Sequence, residues 1–136
     1  MTTYVLDASA WIRLFVPDGP IPAGLEEAVG GAERGEAILA APDLALVEIA
    51  HVLHRKRAAG GIPAADFARL WKDVRRLPVD IVPVRDDLDS ALELAVQLNL
   101  TVYDACYAAL ARRLGGRLLT ADDRLARAAR RVGLSA

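Results

Sequence analysis

The chain has 136 residues, a formal net charge of −1 and an apolar fraction of 54%, which predicts one domain, 1–136, able to bury its own core without staples. Its single cysteine, Cys106, excludes a disulfide framework and a thiolate metal cluster. No apolar run approaches the ~18–20 residues of a membrane span, so no membrane role is expected.

Mean hydropathy is nevertheless positive. The apolar excess therefore predicts a very full core, an oligomer surface or a partner groove. The first residues lack the charged flank and apolar centre of a signal peptide, and a cytoplasmic protein is expected. Charge is uneven along the chain. Residues 1–68 carry 9 acids and 5 bases, and residues 69–136 carry 9 acids and 12 bases. Seven arginines between Arg112 and Arg131 read either as a phosphate-binding face or as a solvated helix face.

In chain order, Thr3 to Leu6 reads as a short buried strand that ends on Asp7. A helix follows from about Ala8 to Val16, with Trp11, Leu14 and Phe15 on one face. Pro17-Asp-Gly-Pro20 ends it. Ile21 to Gly35 reads as a weaker helix interrupted at Gly30-Gly31, and Glu36 to Ala41 as a second strand. Pro42-Asp43 opens a strong helix to about Ala59, and Pro63 to Leu77 reads as another. Val79 to Val84 is a third strand whose Pro83 predicts an edge position. Helices are expected over 86–97 and 101–114, then a fourth strand over 117–120 and a last helix from about Asp122 to Val132. Strands alternating with helices predict a parallel sheet covered on both faces.

Four acids fall at unusual places. Asp7 ends the first strand, Asp122 follows the fourth, and Asp104 lies three residues after Thr101 at a helix start. Each of these three also reads as a helix cap. Glu48 interrupts the apolar run Leu44 to Leu53, where a charge is expensive to bury unpaired. Its plainer reading is a surface pair on a stripe with His51 and Arg55. Three of the four should reach one edge of a parallel sheet, where ligands of such folds bind.

Two carboxylates ~5 Å apart at an effective dielectric of 20 repel by about 3 kcal/mol. A divalent cation reverses that sign, and an all-oxygen set selects Mg²⁺ or Mn²⁺ over zinc. His51 and His54 are read as surface or core residues rather than ligands. Acids that hold such a metal, beside an arginine-rich face, suit phosphodiester hydrolysis.

The segments Val5-Leu-Asp7-Ala-Ser9, Pro42 through Glu48, Thr101-x-Tyr103-Asp104-Ala105-x-Tyr107 and Leu119-Thr120-x-Asp122-x-x-Leu125 resemble the PIN domain, and within it the VapC toxins. The resemblance spans nearly the whole chain in order. It implies an α/β/α sandwich with a central, mostly parallel sheet of four to five strands. It implies a Mg²⁺- or Mn²⁺-dependent endoribonuclease in which Asp7, Glu48, Asp104 and Asp122 match the four acidic positions. Asp7 and Asp104 would be direct metal ligands, and Glu48 and Asp122 would complete the shell or orient water. Ser9 and Thr120 match flanking hydroxyl residues, and Asp123 is an auxiliary acid. The resemblance also implies a homodimer and a VapB-type antitoxin whose tail wraps the toxin, with Trp11 and Phe15 in its groove or in the core. Gly133-Leu-Ser-Ala136 offers little of the final strand that family members often carry.

Two other classes compete. A phospho-accepting receiver domain also places acids at strand ends but needs a lysine after a late strand. The only lysines, Lys56 and Lys72, lie in helical stretches. A catalytically idle PIN-like module that binds RNA or a partner would keep the fold and lose the chemistry.

Overall fold

A computed structural model of the chain describes residues 1–136. Four strands form one sheet: β1 (Thr2–Leu6), β2 (Ala37–Pro42), β3 (Val79–Val82) and β4 (Arg117–Leu119). Every pairing is parallel, in the order β3-β2-β1-β4. Neighbours along the strands face opposite ways. On β1 and β4, Val5 and Leu118 enter the larger core, whereas Leu6 and Leu119 enter a smaller one. Both faces of the sheet are thus buried, as a parallel sheet requires.

Helices make the crossovers. α1 (Ala8–Arg13) and α2 (Leu25–Glu33) join β1 to β2, and α3 (Leu44–Ala58) and α4 (Ala64–Arg76) join β2 to β3. α5 (Leu88–Leu98) and α6 (Val102–Arg113) lead to β4, and α7 (Asp123–Arg131) follows it. α2 packs on the smaller face through Leu25 and Ala28. The other helices crowd the larger one, so the layers are α/β/α, as expected. No helix is long and apolar enough to cross a membrane.

Several boundaries differ from the sequence expectation. α1 stops at Arg13, and Leu14 to Val16 continue as turns bonded back to Trp11 and Ile12. α2 runs unbroken through Gly30-Gly31. A side chain at Gly31 would stand 3.2 Å from the Ala37 methyl, so glycine here lets α2 close on β2. β3 ends at Val82 and a 3₁₀ turn, Val84–Asp87, leads into α5. β3 is indeed an edge strand. α6 buries every residue from Ala105 to Ala111, and its alanines let it approach the sheet closely. Tyr103, in its first turn, is exposed. Trp11 is a core residue, 1% exposed, with Nε1 donating to the Val74 carbonyl at 3.0 Å. After α7, Ser135 pairs with Leu118 through a single parallel bridge, a remnant of a fifth strand.

From β1 the chain crosses to β2 on one side, while β4 lies on the other. The strand order therefore reverses between β1 and β4. A crevice opens there at the carboxyl ends, the usual ligand position in open α/β sheets.

Candidate active site

Asp7 follows β1 directly and stands at that crevice. It is also the N-cap of α1: its Oδ1 accepts from the Ala10 amide at 2.9 Å and from the Ser9 hydroxyl at 2.7 Å. Its Oδ2 accepts from the Thr120 hydroxyl, which comes from the end of β4. Ser9 Oγ in turn accepts from the Ala121 amide at 2.9 Å, and Thr120 Oγ1 from the Asp122 amide at 3.0 Å. The two hydroxyls thus lace the ends of β1 and β4 together through one carboxylate. Each hydroxyl has one proton, so a donation to Asp7 leaves their mutual 3.2 Å approach a contact rather than a further bond.

The other acids arrive from three further segments. Asp122 caps α7, its Oδ1 accepting from the Arg124 and Leu125 amides at 2.8 and 3.3 Å. Asp104 lies in the first turn of α6, whose cap is Thr101: Thr101 Oγ1 accepts from the Asp104 amide at 3.1 Å. Glu48 comes from α3 and its Oε1 accepts from the buried Tyr107 hydroxyl of α6. Asp7, Glu48, Asp104 and Asp122 line one cleft of about 300 Å³. None of the four takes part in any ion pair of the molecule. Cap and cleft residue are therefore compatible roles: at Asp122 the cap uses one carboxylate oxygen, and at Asp104 it uses the backbone amide.

The electrostatics follow from burial and crowding. Asp7 is 5% exposed, and burial lifts its carboxyl to about 6 despite three hydrogen bonds that pull it down. Burial also raises the Glu48 and Asp104 carboxyls. Asp104 is raised further by the charge of Asp122, and its own charge raises Asp7 and Glu48. Burial, then the bond to Glu48, holds the Tyr107 phenol above its ordinary range. Such a cleft is short of positive charge.

The donor set is all oxygen, which suits a hard cation. No three side chains close into a cage that would hold an ion unaided. Mg²⁺, which keeps several waters and takes one or two carboxylates, does not require such a cage.

Ser9 and Thr120 stand beside Asp7, whereas Asp123 is exposed in the first turn of α7 and does not line the cleft. His51 and His54 are exposed. Sequence reasoning gave no role to Tyr107, Arg13 or Asp18, all of which line the cleft. Tyr107 had a signal: a phenol inside an apolar helix needs a partner. Asp18 had none, because a turn aspartate is commonplace.

The PIN domain family model matches residues 4–131. Ribonuclease VapC3 of Pyrobaculum aerophilum is 39% identical over 127 residues, covering 90% of this chain and 91% of that protein. Ribonuclease VapC9 of Mycobacterium tuberculosis is 37% identical over 121 residues, covering 89% and 87%. Among solved structures, PAE2754 from Pyrobaculum aerophilum superposes with a TM-score of 0.69 at 26% identity, covering 93% of this chain and 84% of that one. Mycobacterium tuberculosis VapC20, described as a sarcin-ricin loop cleaving toxin, shares the fold with a TM-score of 0.64 at 18% identity, covering 92% and 94%. With strand order, cleft and relatives in agreement, the chain belongs to the PIN domain family and, within it, to the VapC branch.

Proposed function

We propose that this protein is a single-domain, metal-dependent endoribonuclease that serves as the toxin of a toxin–antitoxin pair. One observation carries the reading: four carboxylates from four separate segments line a single cleft with no basic side chain paired to any of them. Asp7 and Asp104 would hold Mg²⁺ or Mn²⁺, and Glu48 and Asp122 would complete its shell or orient water. When bound, the cation lowers the pKa of water and offsets charge on the phosphate. Ser9 and Thr120 fix the orientation of Asp7, and Tyr107 fixes that of Glu48. The ribonuclease names of the relatives support an RNA substrate. Their class supports a VapB-type antitoxin as partner, a homodimer and a cytoplasmic setting.

The test is cleavage of total RNA by purified protein with Mg²⁺ or Mn²⁺, with cleavage sites mapped. Discrete cuts that vanish with chelator and in Asp104→Asn are expected. RNA binding with no cleavage under either metal would instead indicate the idle RNA-binding alternative.

A further inference from the structure

The cleft that holds so many acids also contains one arginine. Arg13, the last residue of α1, lines it together with Asp18 of the following turn. Arg13 forms no ion pair, although five carboxylates line the same cleft. Asp18 is paired with Lys56 of α3 instead. The Arg13 guanidinium is held by backbone: Nη1 donates to the Pro20 carbonyl at 2.9 Å. That is the one hydrogen bond its side chain makes, so several donors remain unused.

The loop is shaped to this side chain. A Cβ on Gly19 would fall 2.5 Å from Arg13 Nη1, so a side chain there would push the guanidinium from its present position. Arg13 is also six residues beyond Asp7, ~9 Å of helical rise along α1. Its guanidinium is bonded to the Pro20 carbonyl rather than turned back to Asp7. An unpaired, half-buried fork of donors at the wall of an acidic cleft matches a phosphate.

We propose that Arg13 is a substrate-positioning residue that binds a phosphate of single-stranded RNA next to the scissile one. This rests on the ribonuclease reading above. It also answers a physical difficulty of that reading. A polyanion entering a cleft of carboxylates is repelled by them, and an unpaired guanidinium at the wall offsets part of that repulsion.

The test compares wild type, Arg13→Met, Arg13→Lys and Gly19→Ala. Affinity for a fluorescent single-stranded RNA of random sequence is read by anisotropy in Ca²⁺ across a KCl series. KM and kcat are read separately with Mg²⁺ or Mn²⁺. Arg13→Met should weaken binding and raise KM by about tenfold, with kcat within about threefold of wild type. It should also flatten the plot of log affinity against log salt by about 0.7, the share of one phosphate on a single strand. Arg13→Lys should restore the slope with only part of the affinity, because a point charge lacks the fork. Gly19→Ala should displace the guanidinium and raise KM while the charge stays. A purely structural anchor predicts a lowered Tm with an unchanged salt slope, and that result overturns the proposal. Wild-type cleavage alongside unaltered KM and slope in Arg13→Met overturns it too and leaves the ribonuclease reading intact. A wild type that neither binds nor cleaves RNA overturns both.

Discussion

Asp7 is buried at a thermodynamic cost that the unfolded chain does not bear. An aspartate in water titrates near its ordinary ~3.9, whereas in the fold burial pushes the Asp7 carboxyl up to about 6. Between those values the native state binds more protons than the unfolded state. Stability of the metal-free protein therefore falls as pH rises from about 4 to about 6, and this contribution is flat above. Asp7→Asn removes the penalty and keeps an oxygen to cap Ala10. At pH 7.5 the metal-free variant should be more stable than wild type by about 1–3 kcal/mol, with the two converging near pH 4. Urea denaturation at the two pH values measures this. RNA cleavage by the same variant should fall by at least ~100-fold. A variant that was both inactive and less stable at pH 7.5 would contradict the assignment of strain to this carboxylate. The same shift sets a metal prediction. If Asp7 is the ligand proposed above, Mn²⁺ affinity, followed by calorimetry at pH 5, 6 and 7, should drop as pH falls through about 6, because a ligating carboxyl must lose its proton. Residues that orient the acids should matter less than the acids themselves. Tyr107→Phe and Thr120→Val should each lower cleavage by ~10–100-fold while the protein stays folded. Sequence reasoning reached the four acids because each stood at a strand end, at a helix start or inside an apolar run. It gave no role to Arg13 and Asp18, because only the folded loop Pro17 to Pro20 brings them to the cleft.

At the scale of elements, the sequence was most legible where one local rule acted alone. β1 and β4 were found within a residue, since an apolar run bounded by an acid or a glycine pair has few other readings. It was least legible where packing overruled propensity. The Gly30-Gly31 pair looks like a break, yet contact with Ala37 makes it an asset to α2. The α5–α6 pair shows a device that no local pattern announces. Asp87, 4% exposed, precedes α5 and accepts two hydrogen bonds from Arg113 at the end of α6, at 2.6 and 3.0 Å. Removing the arginine strands a buried carboxylate. Arg113→Ala should destabilise the protein by about 2–3 kcal/mol, toward the low end for buried pairs because the arginine itself is half exposed. Thermal unfolding measures it, and because the pair joins the helix leading to β4, loss of stability should precede any loss of cleavage.

At the scale of the whole molecule, the parallel sheet and its two covered faces were readable from alternation of elements. Strand order was not, because nothing local tells β4 to pair with β1 rather than with β3. The surface carries one further pattern. Leu88, Leu92 and Val96 repeat every four residues along α5 and are 43%, 59% and 81% exposed. A stripe of that kind exposes apolar surface of the sort found at protein–protein interfaces. Val96→Asp should shift a dimer toward monomer in light scattering and leave the fold unchanged by circular dichroism. A variant with the same mass as wild type would exclude α5 from any interface.

The bond between Thr120 and Asp7 joins residues 113 positions apart in sequence. During synthesis the interval between the two is therefore on the order of 5–20 s at ordinary ribosomal rates. For that time the nascent chain holds Asp7 without β4 beside β1, without its Thr120 partner and without Asp122. A product released before Arg117 would lack the strand that completes the cleft, so prematurely terminated chains of this protein should be harmless to the cell that makes them.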